Sequence, residues 1–278
     1  MSEFRERFLQ ASRAANSLVC VGLDFDPRLV PSTYDGTSDA IFAFNRAIID
    51  ATRDLVCAYK PNLAFYEALG LNGIEALKRT VDYVPDDVLV IGDAKRGDIG
   101  NSARFYAQAA FEVFGFDAVT VSPYMGADSL DPFLSYGDRG VFILCRTSNP
   151  GSGDLQDMKL ADSDGAPPRP LYEIVAEKAI QWNIKGNCGL VVGATYPEQL
   201  ARVRAIAGDL PILIPGVGAQ AGDLDLAVRN GVDRNGELAV VSSSRQIIYA
   251  SRSDDFASAA RRATLALRDA INRARQRV

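Results

Sequence analysis

The chain has 278 residues, 47% of them hydrophobic and 23% charged, with a formal net charge of −5. That balance is that of a soluble globular protein; it offers no basic surface for nucleic acid or anionic membrane, and no apolar run approaches a membrane span. There are no histidines, which removes serine triads with a histidine base, histidine-ligated zinc and imidazole acid–base chemistry.

The first residues, "MSEFRERFLQAS", are charged and lack the apolar centre of a signal peptide. The first apolar run, "SLVCVGLD" (17–24), ends in Asp24, and Ile41, Phe44 and Ile48 then recur at helical spacing. "CAYKPN" (57–62) ends in Lys60, which the following proline keeps extended. "VLVIGDAK" (88–95) ends in Asp93 and Lys95, two apart and so on one side of a strand. "FDAVTVS" (116–122), "GVFILCRT" (140–147), "CGLVVGA" (188–194), "LPILIPG" (210–216) and "ELAVVSSS" (237–244) follow. Phe256, Ala260, Ala263, Leu267 and Ile271 mark a last helix, whose Arg268, Arg273, Arg275 and Arg277 read as a solvated basic face.

Strands alternating with helices predict a parallel sheet, and eight of them favour closure into a (β/α)8 barrel occupying residues 1–278 as one domain. An open doubly wound sheet is the alternative, but its GxGxxG after the first strand is missing. One connection, Ser148 to Pro170, is rich in Gly, Pro, Ser and Asp and lacks periodicity, so it reads as a structureless lid or a surface insertion. Cys20, Cys57, Cys145 and Cys188 stand singly in apolar segments, as expected of small buried residues in a reducing, cytoplasmic setting.

A barrel of this type keeps its active site at the C-terminal ends of its strands. Asp24, Lys60, Asp93 and Lys95 end three successive strands, so their charges converge on one mouth. Asp98 fits a helix N-cap as well as it fits catalysis. Across the mouth, "PGVGAQAGD" (215–223) offers glycines after the seventh strand, and "SSSRQIIYA" (242–250) offers hydroxyls and Arg245 after the eighth. Loops after strands seven and eight are the recurrent phosphate site of such barrels, and amides plus a guanidinium suit a dianion.

Taken together, "VGLDFDP", "YKPNLAFYE", "DAKRGDIGNSA", "TSNPG", "PGVGAQAGD" and "SSSRQIIYA" resemble, in order, the motifs of the orotidine 5′-phosphate decarboxylase family, in its longer-chain branch. The resemblance implies cofactor-free conversion of orotidine 5′-phosphate to uridine 5′-phosphate and carbon dioxide, the last step of de novo UMP synthesis, with no metal. It implies a Lys60–Asp93–Lys95–Asp98 network in a homodimer, Asp98 coming from the neighbouring subunit. It also places Asp24 on the ribose, Ser148 on the pyrimidine, and Gln220 and Arg245 on the phosphate. Ser102 falls where compact relatives carry threonine and keeps the hydroxyl for a ribose contact across the dimer. The nearest competing reading is a magnesium-dependent sugar-phosphate decarboxylase or aldolase sharing DxKxxD; a more distant one is a non-catalytic nucleotide-binding barrel.

Overall fold

A computed structural model of the chain describes residues 2–161, 167–217 and 223–278. Eight strands close into a barrel: β1 (Val19–Gly22), β2 (Ala58–Lys60), β3 (Leu89–Arg96), β4 (Ala118–Val121), β5 (Gly140–Arg146), β6 (Cys188–Val192), β7 (Ile212–Pro215) and β8 (Ala239–Ser243). All neighbours run parallel, and β1 pairs with both β2 and β8. Helices lie between successive strands and a last one, Phe256–Arg275, follows β8. This is the expected (β/α)8 architecture.

Two apolar layers follow from the two-residue period of the strands. Cys20, Ala58, Leu89, Ile91, Phe142, Val191, Leu213 and Val240 fill the barrel, while Val19, Val21, Val90, Val119, Val141 and Ile143 face the surrounding helices. The inward column of β3, Leu89 and Ile91, continues to Asp93. On β2 the inward Ala58 is followed by Lys60, and on β8 the inward Val240 is followed by Ser242. The polar mouth is thus the upward extension of the apolar interior.

The opposite end is closed by a helix that hydrophobic periodicity alone had not marked. Glu3–Ala14 starts at Ser2, whose hydroxyl accepts from the Arg5 amide at 3.3 Å. Its Phe4 and Phe8 are buried among the barrel-filling side chains, with Phe4 edge-on to Phe142 at 6.2 Å.

One expectation needs correction. The 148–170 connection is not structureless on its described flanks: a 3-10 turn (Pro150–Ser152) and a short helix (Gly153–Gln156) lead to Lys159–Leu160, which pairs antiparallel with Arg169–Pro170. Elements this short show no periodicity, and side chains rather than an amphipathic face hold them. The basic C-terminal face is solvated as expected, with Arg273 and Arg277 exposed, and its end also makes polar contacts. Arg275 donates to Asn16 Oδ1 at 2.6 Å and Arg277 pairs with Asp225 at 3.3 Å.

The four cysteines are buried and free. Burial pushes their thiols up, to about 12 for Cys20 and Cys188, so they are not thiolates at neutral pH. Among the described residues no helix is long and apolar enough to cross a membrane.

Candidate active site

Asp93 is the centre of the charged side of the mouth. Its Oδ2 accepts from Lys60 Nζ at 2.7 Å, and its Oδ1 accepts from Lys95 Nζ and from Thr120 Oγ1, the latter at 3.1 Å. Lys60 and Asp93 are buried, whereas the Lys95 side chain is 48% exposed. One carboxylate therefore bridges a buried ammonium and an open one. The β3–β4 register shifts between Gly92 and Arg96, and Lys95 takes a left-handed φ of +49°. Non-glycine residues avoid that region, and such strain gathers at functional positions. Thr120 stabilises the kink by accepting the Lys95 amide at 2.9 Å. Asp93 and Lys95 do meet on one side, as their spacing predicts, but through a bulge rather than a regular strand.

Burial opposes charge on both partners, and the pairing wins. Desolvation alone would raise the Asp93 carboxyl, yet Lys60 and Lys95 hold it at about 2. Desolvation alone would lower Lys60, yet Asp93 and then Asp24 hold it above the ordinary lysine range. The Lys60–Asp93 pair therefore stays ionised at neutral pH.

A cavity of about 230 Å³ opens beside this array, lined by Asp24, Lys60, Ser148, Gly216, Arg245 and the serines Ser242–Ser244, among others. A larger hollow of about 660 Å³ lies between the helices Gly100–Gln108 and Ala127–Leu134, so size alone does not select the site. Asp24 lies just past β1, with Oδ1 accepting from the Asn62 amide at 3.2 Å. Its backbone is gripped from two sides. Tyr66 donates to Leu23 O at 2.6 Å; Tyr249 donates to Asp24 O at 2.6 Å and accepts from the Asp26 amide at 2.7 Å. At position 22 any Cβ would sit 1.7 Å from Ser244 Oγ, so only glycine lets β8 close over β1 here.

Arg245 opens the helix Arg245–Ile248 after Ser244, and its side chain is exposed. Among the described residues its guanidinium has no carboxylate partner, which leaves it available to an anion. Gly216, the residue after β7, has a φ of +89°. Gln220 lies outside the described residues.

Asp98 and Ser102 do not line the cavity. Among the described residues the Asp98 carboxylate pairs with neither lysine and accepts from the Ile99 amide at 2.8 Å. The following helix begins at Gly100, with Ile99 at the cap position and no side-chain cap, so the N-cap reading of Asp98 does not hold. Ser102 is exposed on that helix.

The supports of the site were missed in the sequence: Thr120 under Asp93, and Tyr66 and Tyr249 around Asp24. The only signal available was polar residues inside otherwise apolar strands or after their ends.

Comparison with known proteins agrees along nearly the whole chain. The family model described as orotidine 5′-phosphate decarboxylase / HUMPS family matches residues 17–263. A protein of Ralstonia pickettii named orotidine 5′-phosphate decarboxylase is 51% identical over 276 residues, spanning 98% of this chain and 99% of its own. One of Roseiflexus sp. with the same name is 51% identical over 272 residues, spanning 98% of each chain. The solved structure of Leishmania donovani OMP decarboxylase superposes with a TM-score of 0.83 at 41% identity, spanning 99% of each chain. With its closed barrel and the extent of these matches, the chain belongs to the orotidine 5′-phosphate decarboxylase / HUMPS family.

Proposed function

We propose that the chain, as one domain over residues 1–278, decarboxylates orotidine 5′-phosphate to uridine 5′-phosphate and carbon dioxide without a cofactor, completing de novo UMP synthesis. The observation that carries this reading is the Lys60–Asp93–Lys95 row beside a cavity that also presents Arg245, which has no carboxylate partner among the described residues. Arg245, with Gln220, takes the phosphate; Asp24 takes the ribose; Ser148 takes the pyrimidine. Loss of the carboxylate leaves an electron pair on C6, with no histidine available to protonate it. Lys95 faces that carbon from the open side of the array, stabilises the developing charge and then delivers the proton.

Asp93 stands where the substrate carboxylate must come. Two like charges about 4 Å apart repel by roughly 4 kcal/mol at an effective dielectric near 20. Enzymes commonly lower barriers by about 8–23 kcal/mol, so repulsion is a minor share. The larger one is the fixed ammonium aimed at C6, which needs no reorganisation during the reaction.

The functional unit in this reading is a homodimer. Asp98 and Ser102 lie outside their own cavity, and on the same stretch Ile99 and Phe105 are 55% and 72% exposed, as is Tyr124 beyond β4 at 83%. A two-fold mate covering these apolar side chains would bring its Asp98 and Ser102 to the neighbouring mouth. The four free, buried cysteines support a cytoplasmic setting.

The test is to supply orotidine 5′-phosphate with a chelator present and follow the loss of substrate absorbance. Full activity is expected. Activity abolished by the chelator and restored by magnesium would favour the sugar-phosphate chemistry that the family also contains. Tight binding of uridine 5′-phosphate without turnover of the substrate would favour a scaffold.

A further inference from the structure

The end of β5 holds a buried cation that the proposed chemistry does not use. Arg146 is 2% exposed and follows the inward-facing Leu144 by two residues, across an irregularity in the β5–β6 register. Its Nε and Nη2 donate to the two carboxylate oxygens of Asp157, each at 3.0 Å. Its Nη1 donates to Thr147 O at 2.9 Å and to Ser152 Oγ. The guanidinium carbon lies 3.8 Å from the centre of the Tyr196 ring. Apart from Tyr196, every partner comes from the segment immediately after Arg146.

That segment closes on itself. Gln156 Oε1 accepts from the Thr147 amide at 2.8 Å, and Gln156 Nε2 donates to Thr147 Oγ1 at 2.9 Å. Ser148, the cavity-lining residue, lies inside the loop so formed. Its other side is pressed onto Gly193 beyond β6, where an added Cβ would come 2.7 Å from Ser148 Cβ. A buried guanidinium is stable only with its donors satisfied, and a bidentate carboxylate fixes both partners in one geometry. Here the carboxylate belongs to the loop that must be held. The otherwise unexplained 148–170 connection thereby acquires a use: it carries the counter-charge.

We propose that Arg146 is a positioning residue for the base end of the cavity: by clasping Asp157 and Ser152 it holds the 147–157 segment closed and sets Ser148 against the pyrimidine. This rests on the assignment of Ser148 to the base. Replacement of Arg146 itself risks the fold, so the test uses Asp157, whose side chain is 43% exposed. Calorimetric titration with uridine 5′-phosphate and with ribose 5-phosphate separates base recognition from the rest. Asp157→Asn should weaken uridine 5′-phosphate roughly tenfold, as small misplacements of a recognition group do, and leave ribose 5-phosphate affinity unchanged. On a Ser148→Ala background, Asp157→Asn should add nothing to the loss. Equal weakening of both ligands, unchanged binding of both, or additive losses would each overturn the clasp while leaving the Ser148 assignment standing. A Ser148→Ala protein that binds uridine 5′-phosphate as well as wild type overturns that assignment and the proposal with it. Wild-type turnover of orotidine 5′-phosphate, measured alongside, reports separately on the decarboxylase reading.

Discussion

The two sides of the barrel mouth are built on opposite plans. On β2 and β3 the charges are complete before any ligand arrives: Lys60 and Asp93 are buried, and each Asp93 oxygen is already hydrogen-bonded. On β7 and β8 the charge is left open, with Arg245 exposed and without a carboxylate partner among the described residues. A preassembled array is suited to a reacting carbon, because fixed charges need not move when the electron pair appears. An exposed guanidinium is suited to collecting binding energy from a group that does not react. In the proposed reading, chemistry and grip are separated across one cavity.

The sharpest way to break this division is Lys95→Ala. Its side chain is half exposed and its loss leaves the Lys60–Asp93 pair intact, so the protein should fold and still bind uridine 5′-phosphate. Turnover of orotidine 5′-phosphate should fall roughly a thousandfold or more, within the range of a lost proton donor. Near-normal turnover by the folded variant would remove Lys95 from the mechanism.

Subunit mixing tests whether the rigid side is completed by a second chain. Lys95→Ala and Asp98→Ala homodimers should each be nearly inactive. Random reassociation of equal amounts makes about half the dimers mixed, each with one intact site, so activity should return to roughly a quarter of wild type. Verified exchange without recovery would show that Asp98 serves its own chain or none.

Arg245→Ala probes the open side. Losing a charge-assisted contact of about 2 kcal/mol corresponds to roughly a thirtyfold fall in kcat/KM for orotidine 5′-phosphate. With the unphosphorylated nucleoside the same substitution should change little, because the guanidinium then has nothing to meet. An equal loss with both substrates would place Arg245 elsewhere in the reaction.

The smallest effect sharpens the comparison through stability. Asp93 is held at about 2, below its ordinary value of 3.8, so its contribution is full above about pH 4 and is lost as pH falls towards 2. Lys60 is shifted upward, so its contribution is full at and below neutral pH and is lost only as pH rises through that raised value. Between pH 4 and 2, wild type should lose about 2 kcal/mol of unfolding free energy that Asp93→Asn does not lose. Urea titrations at several pH values measure this, and parallel curves would deny that the array is ionised as described.

Much of this site was legible in the chain because it is periodic. The inward column that places Cys20, Ala58, Leu89 and Val240 in the barrel also raises Lys60, Asp93 and Ser242 to its rim, and an apolar run with a charge at its end displays that arrangement directly. The lack of histidine narrows the chemistry by composition alone. The chain also carried, in order, motifs specific enough to imply a family.

What the sequence left open was decided by contacts between residues far apart in it. Tyr249 reaches the Asp24 carbonyl across 225 positions, and Thr120 supports Lys95 across 25; no local pattern encodes either. Asp98 could have capped a helix, and only the observed start of that helix at Gly100 rules this out. Arg146 and Asp157 are close in sequence, yet no local periodicity marks their pairing, and the same loop also meets Tyr196 and Gly193 from beyond β6. Periodicity reports which face of an element is buried, because burial repeats with the backbone. It cannot report which polar groups will satisfy one another once solvent is gone, because closure of the barrel selects those partners.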